Sequence, residues 1–258
     1  MYKKDMWIFD GSIEVEIKHR GRYGAKGEGR LRKKMPTPEQ IKRQNQLNKE
    51  KRMRRLIKAN FKKSDLWVTL KYSAGERKPL GEVLKDLKRF FRRLRTAYKA
   101  RGMPLKYIYR LEIGKLGGIH IHLILNRIAD ADLMIQRYWT EGRANYESMY
   151  ERGGFEALAA YIVKPPPEEM RGQLSLFDVW ERKALVKYSA SRNLKRPEPK
   201  TQFYLASTVM RIVKNGPPAK KGYYIDRDSV RITTNFYTGL PSISYTLIKY
   251  GKGGDGDG

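Results

Sequence analysis

Only three histidines occur in the 258-residue sequence, and two of them stand one residue apart as His120-Ile121-His122. In an extended chain, residues two apart project to the same face, so both imidazoles point together while Ile119, Ile121 and Leu123 enter the other side. That is a ready pair of metal ligands. Residues 105–113 and 119–126 read as two strands joined by a turn through Gly114, Gly117 and Gly118. A hairpin passing through Leu116 sets Glu112 opposite or diagonal to His120 and on the same face. His120, His122 and Glu112 together leave coordination positions open to water and phosphate oxygens, as a catalytic divalent ion requires. The plain alternative is a hydrogen-bonded surface pair of histidines.

Tyr161 supplies a candidate nucleophile, with Lys164 three residues on. A helix is predicted over residues 155–164, ended by Pro165, Pro166 and Pro167. On it Phe155, Leu158, Ala159 and Ile162 form the buried stripe, while Tyr161 and Lys164 share the face left free. A phenol with an ordinary pKa near 10 attacks a phosphodiester only if the phosphate is polarised and the developing charge offset, and a metal and a lysine do both. The alternative is a helix aromatic with no chemistry. A second match to this spacing, Tyr23-Gly24-Ala25-Lys26, lies in a stretch rich in glycine and arginine and reads as coincidental or phosphate-binding.

The elements that must position these residues form an α+β pattern. A short strand is expected at 13–17. A helix follows from a capping box at Thr37, Pro38 and Gln40 to about Asn60, its sparse apolar residues Ile41, Leu47, Met53, Leu56 and Ile57 leaving most of it to solvent or a phosphate backbone. A strand at 66–72 precedes an amphipathic helix carrying Val83, Leu84, Leu87, Phe90, Phe91, Leu94 and Tyr98, which stops at Gly102 and Pro104. Asp130 or Asp132 begins another helix toward Trp139. The order strand, helix, strand, strand, helix, helix predicts an antiparallel sheet with helices packed on one face. Further strands are expected at 202–213 and 229–250, before a disordered Gly/Asp tail. The expected organisation is a basic strand, arm and helix at 1–64, a catalytic domain at 65–200 with an exposed insertion near 165–182, and a β-rich segment at 201–258.

Composition narrows the partners. Fifty-five Lys and Arg against 27 Asp and Glu give a net charge of +28, and residues 17–63 alone hold 18 basic and 3 acidic residues. Such an excess points to a polyanion, whose condensed counterions are released on binding. The basic arm, with Arg22, Lys26, Arg30, Arg32, Lys33 and Lys34, is expected to hold DNA, and the 17 tyrosines offer rings that stack on bases. The absence of cysteine excludes disulfides and thiolate metal sites and fits a reducing cytoplasm. No apolar run reaches bilayer-spanning length, and no Gly-x-x-x-x-Gly-Lys-Ser/Thr run is present, so unwinding is left to other machinery.

Trp67-Val68-Thr69-Leu70-Lys71-Tyr72, the 112–122 hairpin and Tyr161-Ile162-Val163-Lys164 occur in the order of the three motifs of the HUH endonucleases. The chain most resembles the phage and plasmid initiators of rolling-circle replication. Residues 188–197, Tyr-Ser-Ala-Ser-Arg-Asn-Leu-Lys-Arg-Pro, are similar to a segment of phage-type members and contain Arg192, Lys195 and Arg196 as further DNA contacts. The resemblance covers residues 65–197. It implies a ferredoxin-like antiparallel sheet carrying a Mg²⁺ or Mn²⁺ ion, with the nucleophilic tyrosine on an adjacent helix. It also implies nicking and rejoining of single-stranded or origin DNA through a 5′-phosphotyrosyl link, with host helicase and polymerase, in a bacterial cytoplasm.

Gln173-Leu174-Ser175-Leu176-Phe177 resembles the pentapeptide by which bacterial proteins dock on the replicative sliding clamp, Leu176 and Phe177 filling an apolar pocket and Gln173 hydrogen-bonding. The alternative is that Leu174, Leu176 and Phe177 fold back on the core. Two other functional readings stay open from the sequence: a relaxase or single-strand transposase of the same chemistry, and a non-catalytic nucleic-acid-binding protein.

Overall fold

The computed structural model describes residues 1–20, 37–114, 117–149, 155–166, 184–235 and 239–250. In chain order the elements are β1 (Tyr2–Ile8), β2 (Ser12–His19), α1 (Pro38–Asn60), β3 (Leu66–Tyr72), α2 (Leu80–Ala100), β4 (Tyr107–Ile113) and β5 (Ile119–Leu125). There follow α3 (Ala131–Tyr138), β6 (Gly142–Ser148), α4 (Glu156–Val163), β7 (Ser189–Ala190), β8 (Lys200–Tyr204), α5 (Ala206–Asn215), β9 (Tyr223–Thr234) and β10 (Pro241–Lys249). They divide into two compact units, residues 43–196 and residues 1–42 with 197–258.

The 43–196 unit is built on an antiparallel sheet ordered β6-β3-β5-β4-β7. Because side chains alternate, each strand serves two layers. Leu66, Val68 and Leu70 of β3, with Leu111, Ile121, Leu123 and Leu125, pack under α2 and α3. The amphipathic face of α2 supplies Val83, Leu87, Phe90, Leu94 and Tyr98, all buried, at the spacing of a helix stripe. On the other face Trp67, Ile108 and Ile124 meet Met53 and Ile57 of α1 and Ala159 and Ile162 of α4. Helices therefore cover both faces, which corrects the expected one-sided packing. The reason lies in α1 and α4, whose few apolar residues have no other surface to bury against.

Polar groups fix the strand ends. Asp65 accepts from the backbone N–H groups of Lys62 and Arg127, each at 2.8 Å, tying the start of β3 to the end of β5. The Tyr98 hydroxyl donates to the Asn126 carbonyl at 2.6 Å. The capping box forms as expected, with Gln40 accepting from the Thr37 N–H and Thr37 accepting from the Gln40 N–H.

Three elements differ from the sequence reading. Strand β6, whose residues Gly-Arg-Ala-Asn-Tyr-Glu-Ser show no apolar alternation, pairs along β3 because burial there is one-sided at a sheet edge. Residues 202–213, expected as strand, end β8 and then turn helical. Val209 and Ile212 are buried on one side of α5 while Met210 is exposed, a spacing of three that β-branched composition disguised. Helix α4 ends at Val163, and Lys164 is extended (φ −52°, ψ 131°) because a residue before proline is driven out of the helical region.

In the other unit, β1, β2, β8, β9 and β10 form a second antiparallel sheet ordered β8-β1-β2-β10-β9. Val209 and Ile212 of α5 cluster with Ile13, Val15, Ile17, Ile243, Tyr245 and Leu247. Both ends of the chain thus contribute to one sheet. Strand β1 was not expected, since its Lys3, Lys4 and Asp5 mask an alternation carried by the buried Tyr2 and the half-buried Lys4 and Met6.

Candidate active site

The hairpin register sets the site. Glu112 stands directly opposite His120, and Arg110 directly opposite His122. On the neighbouring strand Thr69 lies opposite His122. All five residues therefore share the sheet face that α4 approaches.

Tyr161 reaches down from α4 into this row. Its hydroxyl donates to Glu112 Oε2 in a short hydrogen bond and lies 2.8 Å from His122 Nε2, and Nε2 is 2.9 Å from the same carboxylate oxygen. Trp67 walls the group on one side, stacked on His122 (centroids 5.7 Å, 17°) and edge-on to Tyr161 (5.7 Å, 87°). On its far side His122 Nδ1 is 3.2 Å from the Thr69 hydroxyl, which orients the ring.

Burial and charge set the protonation states. Burial lifts the Tyr161 phenol well above its usual range, and Glu112 adds to the lift both as acceptor and as charge, while Arg110 opposes it. The hydroxyl therefore carries its proton at neutral pH. Burial also pushes His122 down, and Glu112 only partly compensates, leaving a neutral imidazole. His120 is lowered by burial and by the Lys71 charge. For Glu112 burial acts upward, but the Tyr161 hydroxyl, His122, Arg110 and Lys164 together hold the carboxyl below the ordinary range.

Arg110 is buried, at 5% exposure, without a carboxylate bonded to it. Its Nη1 donates to the carbonyl oxygens of Tyr161 (3.1 Å), Ile162 (3.2 Å) and Lys164. These are the last carbonyls of α4, which has no basic residue in its final turn, so the guanidinium from β4 both satisfies them and faces the negative end of the helix dipole.

The structure thus brings together Tyr161, Glu112 and His122. His120 is next in the row, its ring 6.5 Å from that of His122. Lys164 is exposed, beyond the helix end, and its charge acts on Glu112. Among the described residues no group of three or more His, Asp or Glu side chains is gathered as an ion would need. The donor chemistry nonetheless fits a divalent ion, since two imidazoles low in basicity and an ionised carboxylate are what such an ion binds.

Arg192, Lys195 and Arg196 are exposed on a segment pinned to the opposite end of β4. Ser191 exchanges bonds with Tyr107 (2.9 and 3.1 Å), Asn193 donates to the Leu105 carbonyl (3.0 Å), and Asn60 holds the Lys195 backbone by two bonds. From Tyr107 to Glu112 the strand runs about 17 Å, so these cations stand apart from the tyrosine cluster. Arg22, Lys26, Arg30, Arg32, Lys33 and Lys34 lie outside the described residues, as do Tyr23 and the clamp-like Gln173, Leu174, Leu176 and Phe177. Among the described residues no helix is long and apolar enough to cross a membrane.

Sequence reasoning missed Arg110, Thr69 and Trp67 as members of the site. The signal was present in part: Arg110 is two residues from Glu112 on one strand, and Trp67 and Thr69 alternate on another.

Residues 65–166 match a family model of replication-associated proteins, the ORF2 type. The match covers less than half of the chain and contains Glu112, His120, His122, Tyr161 and Lys164. No curated protein and no solved structure matches the chain.

Proposed function

We propose that this chain is a replication-initiation endonuclease that nicks and rejoins single-stranded DNA through Tyr161, starting rolling-circle replication of a phage or plasmid in a bacterial host. The observation that carries the reading is the Tyr161 hydroxyl held between Glu112 and His122, inside the segment similar to the replication-associated family.

Tyr161 Oη attacks the scissile phosphorus as its proton passes to the Glu112 carboxylate, already its hydrogen-bond acceptor. The P–Oη bond forms and the P–O3′ bond breaks. The departing 3′ oxygen takes up a proton, which the newly protonated Glu112 holds, so the products are a 5′-phosphotyrosyl enzyme and a free 3′-OH. One phosphodiester replaces another, and attack by a 3′-OH on the tyrosyl link rejoins the strand by the same steps reversed. His120, His122 and Glu112 would hold a Mg²⁺ or Mn²⁺ ion, which when bound supplies positive charge at a phosphate oxygen. Lys164 and Arg110 add fixed cations to the same neighbourhood.

In this reading the basic arm with Arg22 to Lys34, and Arg192, Lys195 and Arg196, hold the strand by its phosphates. The segment with Gln173, Leu174, Leu176 and Phe177 docks on the sliding clamp, and host helicase and polymerase extend the 3′ end.

The test is incubation of the full chain with single-stranded oligonucleotides tiled across its own genetic neighbourhood, with Mn²⁺ or Mg²⁺. A denaturant-stable protein–DNA adduct is expected, lost in Tyr161→Phe. No adduct, or one that survives Tyr161→Phe, overturns the assignment.

A further inference from the structure

Two basic residues extend the catalytic row away from Tyr161. Lys71 and Arg143 are directly opposite each other across the β3–β6 pair. Lys71 is two residues beyond Thr69 on the same face, and one step on from the Leu70–Ile121 pair, which sets it beside His120. The row therefore reads Glu112, His120, Lys71, Arg143 across four neighbouring strands. With strands about 4.8 Å apart, Lys71 is one spacing from His120 and Arg143 two.

Like charges directly opposed across an antiparallel pair are destabilising, and an acid between them is the usual remedy. Here none serves. Among the described residues neither cation has an ion pair or a side-chain hydrogen bond. Glu141, adjacent in sequence to β6, commits its carboxylate to Lys78 (2.5 Å) and Arg89 (2.8 Å). Glu147 shares the face of Arg143 but lies four residues along the strand, about 13 Å away. Glu112 is engaged with Tyr161 and His122.

The backbone beneath the pair is firmly built. The Trp139 indole donates to the Lys71 carbonyl at 3.1 Å. Gly142, next to Arg143, lies so close to β3 that a Cβ there would come within 2.6 Å of the Tyr72 carbonyl carbon and 2.8 Å of the Ser73 nitrogen. Two unneutralised cations are thus held side by side on a rigid strand pair, flush with the candidate active site.

We propose that Lys71 and Arg143 form a subsite for a DNA phosphate flanking the one attacked by Tyr161, seating the single strand across the sheet from β4 toward β6. This inference rests on the proposed function and adds the direction in which the strand leaves the site. A phosphodiester between the two cations removes their mutual repulsion, which makes their opposition a binding feature rather than a defect.

The test measures binding of a mixed-sequence single-stranded DNA oligonucleotide to the full chain by fluorescence anisotropy over a salt series. For single strands the slope of log K against log salt is about 0.7 per phosphate contact. The Lys71→Gln/Arg143→Gln double variant is expected to lower the magnitude of that slope by about 1.4, with a melting temperature equal to or above that of the parent. A charge-matched control, Lys85→Gln/Lys88→Gln on exposed positions of α2, which covers the opposite sheet face, is expected to leave the slope in place. An unchanged slope in the first double variant, or an equal loss in the control, overturns the subsite. Absence of a covalent adduct with the parent protein falls on the proposed function instead, because the binding slope is read without cleavage.

Discussion

Arg110 Nη1 lies 3.1 Å from the carbonyl oxygen of Tyr161, so the residue offering the nucleophile is gripped at its main chain by a guanidinium rising from the sheet beneath it. The same nitrogen takes the carbonyls of Ile162 and Lys164. A helix of eight residues has little internal cooperativity, and its last turn has no other cation. The position of the phenol over Glu112 thus depends on one side chain of β4.

Arg110→Gln leaves these buried carbonyls partly unpaired and is expected to cost about 1–3 kcal/mol in urea denaturation. Single-turnover adduct formation, measured well below the melting temperature, should slow as well. Arg110→Lys should fall between the two, since an ammonium lacks the planar fork. A folded Arg110→Gln protein that forms adduct at the parental rate would show that Tyr161 does not need this anchor.

Thr69→Val removes the hydroxyl 3.2 Å from His122 Nδ1 while nearly keeping its shape. Partners that orient a ligating imidazole are typically worth about 10–100-fold in activity or metal affinity. Adduct formation is expected to drop by about that factor, with Thr69→Ser restoring most of it. Equal rates in all three proteins would remove Thr69 from the site.

Gly142→Ala introduces a methyl group against backbone atoms of β3 rather than against a side chain able to turn aside. Overpacking of this kind costs about 1–3 kcal/mol. The expected outcome is a lower denaturation midpoint with an unaltered slope, and an unchanged midpoint would mean that β6 yields at its first residue.

Acid stability follows from Glu141. The Lys78 hydrogen bond, then the charges of Lys78 and Arg89, hold its carboxyl below the ordinary value of 4.5 against a modest opposing effect of burial. A folded-state pKa below the unfolded one stabilises the fold above about pH 4.5, and that contribution is lost as pH falls through the folded value. Thermal melting between pH 7 and pH 3 should therefore show a decline that is shallower in Glu141→Gln. Because the group is largely solvated, the difference should be small. Parallel curves for the two proteins would remove Glu141 from the acid response.

Much of the site was legible because strand geometry is local. His120 and His122 share a face whatever surrounds them, and a short glycine turn was enough to carry Glu112 to the same side. The stripe of α2 was equally plain, since its apolar residues recur at helical spacing over 21 residues. Strand β6 was not legible, because an edge strand needs few apolar residues of its own. The end of α4 was open to misreading by one residue, where Pro165 decides the conformation of Lys164.

What the sequence determined by itself is therefore the local chemistry: two imidazoles on one strand face, a carboxylate across a hairpin, a tyrosine ahead of a proline-terminated helix end, and a large basic excess. Tertiary structure decided which distant groups meet them. Thr69 reaches His122 across 53 positions and Arg110 reaches the Tyr161 carbonyl across 51, while Lys71 and Arg143 become neighbours only because β6 pairs with β3. The physical reason is that alternation is a property of a single chain segment, whereas strand order and helix placement are settled by burial over the whole sheet.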